Sequence, residues 1–125
     1  MAASLNNDSD RNAMCFLFGN SGTSDGSYSA ADAVSDVIKR MRYRHHTVQR
    51  ILKEGEGGNP AVLIQMCLKD IDEEENWVTI ATLNNTTTYL MLSDAVIPYL
   101  RAKRSDGSTD KVKVIVMSGN DRSEV

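Results

Sequence analysis

Lys39, Arg42, His46, Arg50 and Lys53 recur at three- and four-residue steps. On an α-helix they fall within one sector of about 80° and span about 21 Å of axis. A ridge of that length can meet several backbone phosphates, with counterion release supplying a sequence-independent affinity. It can equally meet an acidic protein segment through complementary charge. The plain alternative is a solvated face whose charges keep the surface wet. The block is a local exception: six cations (Lys39, Arg40, Arg42, Arg44, Arg50 and Lys53) and no acid lie between Val37 and Lys53, in a chain of formal net charge −3.

Arg101, Lys103 and Arg104 form a second basic group that could extend a phosphate footprint. Trp77 and Tyr89 could stack on unpaired bases if both reach an open face. Burial in the core competes with that role, because a domain this small commonly buries its tryptophan. His45 falls on an apolar stripe and His46 on the basic ridge; two histidines and no C-x-x-C give no metal centre. Gly19, Gly22 and Gly26 lack the G-x-G-x-x-G or Lys-Ser/Thr pattern of phosphate loops, so they read as a connector. The acids Asp70, Asp72, Glu73, Glu74 and Glu75 match no calcium loop and read as a solvated connector. No nucleophile–base–orienter set is visible, so neither an enzyme nor a cofactor is expected.

The elements that must carry these residues follow from periodicity. Met14 to Phe18 reads as a short strand and residues 19–27 as loop. Ser29 to Asp32 resembles a capping box. Val34, Val37, Ile38, Met41, His45, Val48 and Leu52 then trace one stripe of an amphipathic helix, ending near Gly55. Unbroken, it runs about 25 residues, or about 37 Å; a break between Tyr43 and Thr47 is the alternative, and it would scatter the basic ridge. Residues 62–71, 77–83 and 87–92 read as strands, the last two forming a hairpin around Asn84-Asn85. Ser93 or Asp94 caps a short helix from Ala95 to about Arg104, with Pro98 near its start. Lys111 to Met117 alternates charge and valine like an edge strand.

With 125 residues, 41% apolar and 25% charged, the chain fits one domain with a real core. The expected organisation is a flexible tail over 1–13, a single α+β domain over 14–117 and a flexible tail over 118–125. No apolar run approaches a membrane span and no secretory h-region is visible, so an intracellular protein, nuclear or cytoplasmic and not secreted, is expected. Cys15 and Cys67 then read as reduced and buried.

Val62-Leu63-Ile64-Gln65-Met66-Cys67-Leu68-Lys69-Asp70-Ile71, followed by Trp77, Asn84-Asn85, Met91-Leu92 and Pro98, resembles part of the N-terminal OB-fold domain of the replication protein A large subunit. The likeness covers about residues 62–100. It departs from that family in its turn, in the length of its first helix and in having one strand after the second helix. The resemblance implies a binding module that takes acidic partner peptides, or single-stranded DNA weakly, in a basic cleft.

The fold expected is therefore α+β: a small curved, mainly antiparallel sheet, OB-like in the first instance, with one long basic amphipathic helix and one short helix. A split βαβ sandwich is the alternative. The function expected is non-enzymatic binding of nucleic acid, single-stranded DNA or RNA, through Lys39, Arg42, His46, Arg50, Lys53, Arg101, Lys103 and Arg104. The alternative is a protein-interaction or assembly module that pairs through its long helix or an edge strand, homo-oligomers included.

Overall fold

The computed structural model describes residues 12–18, 33–39, 43–104 and 110–120. In chain order its strands are β1 (Asn12–Phe16), β2 (Ala33–Val34), β3 (Ile38–Lys39), β4 (His45–Leu52), β5 (Val62–Cys67), β6 (Val78–Leu83), β7 (Tyr89–Leu92), β8 (Tyr99–Arg104) and β9 (Val112–Gly119). One 3₁₀ turn, Glu74–Asn76, precedes β6. Two antiparallel sheets result. The first runs β1-β9-β4-β7; the second runs β2-β8-β5-β6, with β3 also paired to β8.

Alternation sets which side chains face inward. On β9, Val112, Val114 and Val116 are buried while Lys113, Ile115 and Met117 are not. In register, Val116 lies between Cys15 of β1 and Val48 of β4. The second sheet contributes Ile38, Val62, Ile64, Leu83, Leu100 and Ala102 to the same apolar cluster. The two inner faces thus share one core, and the molecule is a β-sandwich.

This overturns the α+β expectation. Among the described residues there is no α-helix, and the long helix over 34–54 is replaced by β2, β3 and β4. The short helix over 95–104 is replaced by a loop and β8. The physical reason is that Val48, His46 and Arg50 repeat every second residue on one buried face, and long-range ladders satisfy their backbone groups; intrinsic helix preference is too weak to compete. Neither the single OB-like curved sheet nor the split βαβ sandwich describes the result. The hairpin also fails: β6 pairs β5 in one sheet and β7 pairs β4 in the other. The turn itself is real. Asn84 Oδ1 accepts from Thr86 N at 2.8 Å and Thr87 N at 2.9 Å, and the chain uses this turn to cross between sheets. Nor is β9 an edge, since it lies between β1 and β4; one dry face and one wet face give the same alternation as an edge strand. β1 starts at Asn12 and β9 ends at Gly119, so both reach into the segments expected as tails. Residues 1–11, 121–125 and the glycine-bearing stretch 19–27 lie outside the described residues.

Gly58 shows how tightly one loop end is packed. A Cβ there would overlap Asp110 Oδ2 and come 2.8 Å from its Cγ. No helix among the described residues is long and apolar enough to cross a membrane.

Central placement of Val116 makes it the sharpest test of the shared core. Val116→Ala should cost about 2 kcal/mol in urea unfolding, while Met117→Ala on the outward side should stay within about 0.5 kcal/mol. Equal effects would mean that the inner and outer faces are misassigned.

Candidate functional site

The sandwich does not bring the sequence-selected cations together. Lys39 is exposed on β3, and Lys53 is exposed just past β4. His46 and Arg50 point inward from β4 and are buried; Arg104 is buried at the end of β8. Arg101 is also buried, but on the outward side of β8, opposite to Leu100 and Ala102. Lys103 is half-buried. Arg42 lies outside the described residues. Trp77 lies just before β6 of one sheet and Tyr89 on β7 of the other, and they do not make one stacking platform: Trp77 is buried and Tyr89 is exposed.

The outward side of the β5–β8 pair is closed by residues 69–77. Asn76 Nδ2 donates to Asp70 O at 3.2 Å, and Trp77 Nε1 donates to Ile71 O at 2.9 Å. Trp77 then lies under Arg101, whose guanidinium carbon is 4.2 Å from the ring centroid. Arg101 Nε donates to Gln65 Oε1 at 2.8 Å, and Gln65 Nε2 donates to Thr79 Oγ1 at 3.1 Å. Glu74 completes the network by accepting from Arg101 Nη2 at 2.5 Å and Lys103 Nζ at 3.1 Å. Those two bonds, Arg101's first, hold the Glu74 carboxyl below its ordinary pKa. Arg101 and Lys103 are thus committed to a carboxylate of the same chain. Among the described residues no group of three His, Cys, Asp or Glu side chains could hold a metal ion.

Because the Glu74 pKa is lowered in the folded protein, its contribution to stability is present above the ordinary glutamate pKa and is lost as pH falls through the lowered one. Glu74→Gln should therefore melt below the wild type near neutral pH, with the gap closing in acid. A gap that is the same at both ends of the pH range would show that the carboxylate charge is not involved. Its exposure makes the effect small.

The interior holds a different set of basic side chains. His46 Nδ1 and Ser118 Oγ share a hydrogen bond of 2.9 Å across the β4–β9 ladder. Arg50, 3% exposed, donates from Nη2 to Asn85 Oδ1 at 2.8 Å, and its Nε meets no acceptor. Burial, and then the like charge of Arg104, push the Arg50 pKa down. A cation held this way contributes little to stability. Arg50→Met should leave the unfolding midpoint unchanged or raise it; a loss of more than about 2 kcal/mol would show that the buried charge is worth more than its single side-chain bond implies.

The outward face of β1-β9-β4-β7 contrasts with these closed regions. Register aligns Met14, Met117, Thr47 and Met91 in one row across the four strands. The next row is Phe16, Ile115, Gln49 and Tyr89. Three of these stand far into solvent: Met91 is 66%, Tyr89 58% and Met117 49% exposed. Among the described residues, the only charge beside the rows in this register is Lys113, whose Nζ is 5.7 Å from the Phe16 ring centroid. Sequence reading missed this face. The available signal was methionine, isoleucine and tyrosine at the alternate positions where a solvated sheet carries polar residues.

A smaller feature lies at the far end of β5, where Met66, Leu68 and Val78 line a cleft of about 340 Å³ rimmed by Lys69, Asp70 and Asn76. Its Cys67 thiol donates to Lys69 O at 3.0 Å.

No protein-family model matches the chain, and no curated protein matches it. The crystal structure of the SPBc2 prophage-derived protein YomS matches the fold with a TM-score of 0.60, covering 86% of this chain and 91% of that one at 10% sequence identity. Likeness at that level of identity bears on fold alone.

Proposed function

We propose that the protein is a non-enzymatic interaction module that docks a protein partner on the outward face of the β1-β9-β4-β7 sheet. The observation that carries this reading is the pair of uncharged cross-strand rows, which leave Met91, Tyr89 and Met117 in solvent. Methionine and tyrosine are enriched at protein interfaces, and charged residues are depleted at their centres. An uncharged, largely apolar face, beside a second face closed by paired charges, is the usual footprint of a contact surface.

Nucleic acid is the competing class. It would have to be held by Lys39, Lys53 and other scattered cations, because Arg101 and Lys103 bond Glu74 and Arg50 and Arg104 are buried. Such binding would be steeply salt-dependent.

A photo-crosslinking residue placed at position 117, in the protein's own host, should give discrete protein adducts. The same residue at position 103, on the other sheet, should give none. Adducts from both positions, or from neither, would defeat the reading. Tight, salt-sensitive anisotropy changes with a labelled oligonucleotide would favour nucleic acid instead.

A further inference from the structure

We infer that the occupant of this face is the same face of a second copy of the chain, related by a two-fold axis that runs across the strands between the two uncharged rows. The inference rests on the docking reading above and names the partner. Rotation about such an axis keeps each strand in place and exchanges the rows. Met14 of one copy then comes over Phe16 of the other, Met117 over Ile115, Thr47 over Gln49 and Met91 over Tyr89. Because the contact is isologous, each of these pairs is made twice.

The chemistry of the pairs agrees with the geometry. At both outer strands a thioether meets an aromatic ring, a favourable contact that tolerates imperfect alignment. In the middle an isoleucine meets a methionine, and a threonine hydroxyl meets a glutamine amide. Neither row carries a charge, so a strongly acidic or basic partner would bury its own charges without compensation. A second copy offers an uncharged surface of matching pattern. Lys113, the adjacent cation among the described residues, stays at the rim over its own Phe16.

Stacked sheets lie about 10 Å apart and within about 30° of alignment. The match is therefore closest at β9 and β4 and loosens toward β1 and β7. Four strands at about 4.8 Å spacing, with the two rows about 7 Å apart and the flanking outward positions of β4 and β9, give a face of roughly 20 by 20 Å. Two such faces bury roughly 800 Å², at the small, transient end of specific interfaces. The pairing is accordingly weak and concentration-dependent.

The test is sedimentation equilibrium of the full chain from about 10 μM to about 1 mM, the range in which a contact of this size dissociates. A reversible monomer–dimer equilibrium is expected. Met91→Glu and Tyr89→Lys should each weaken it by about tenfold or more, the factor that about 1.4 kcal/mol brings. Mixing the two variants should restore a dimer, because Glu at 91 in one copy lies over Lys at 89 in the other. Val34→Glu, on an exposed residue of the other sheet, should leave the equilibrium unchanged, and circular dichroism establishes that each variant is folded. A monomer throughout, equal weakening by Val34→Glu, or a mixture that stays monomeric overturns the inference. The two readings fail separately: a monomeric chain that still crosslinks from position 117 to a different protein loses self-pairing and keeps the docking face, whereas a monomer without adducts loses both.

Discussion

The antiparallel ladder between β4 and β9 is the constraint on which the rest of the structure depends. It pairs His45–Leu52 with Val112–Gly119 over the full length of both strands. Its inward residues, Val48 against Val116 and Leu52 against Val112, place the centre of the core. Its outward residues place Met117 beside Thr47 and Ile115 beside Gln49. A slip of one residue would send the valines into water and the methionine inward. The same pairing therefore fixes both the dry interior and the exposed apolar face, and β1 and β7 extend what it sets.

The cations are divided by this architecture rather than pooled. Arg101 and Lys103 converge on Glu74 above Trp77, so they fasten the 69–77 segment to the sheet. Arg50 lies inside and is tied to Asn85, which in turn donates to Gly58 O at 3.0 Å. Arg44 is bonded to Asp94 at 2.7 Å at the other end of β4. A basic stretch in an acidic protein has here become a set of separate anchors.

The strand positions of β5, β6, β7 and β9 were legible in the sequence. The runs over 62–71, 77–83, 87–92 and 111–117 overlap β5, β6, β7 and β9, because β-branched residues and turn signals mark them. The segments that form β2, β3, β4 and β8 were not legible, for a specific reason. On β4 and β8 the inward positions include His46, Arg50 and Arg104, which a polarity pattern assigns to solvent. With those positions read as wet, the remaining apolar residues match a helix better than a strand. Partner choice was equally hidden: Asn84 signals a turn, but only the long-range ladders decide that the turn joins two sheets. The exposed rows were readable one strand at a time and became a surface only through register.

The second sheet has little to offer as a template. One of its borders consists of β2 and β3, two residues each, and the other is β6, where the pairing with β5 skips Ile80. Short segments and a bulge are how sheets resist growing by annexing another chain's strand. Strand annexation repeats without end and yields fibres, whereas a face related to its own copy by a two-fold axis is consumed by a single encounter. A displaced isoleucine on one border thus works against strand annexation and the polymers it would build.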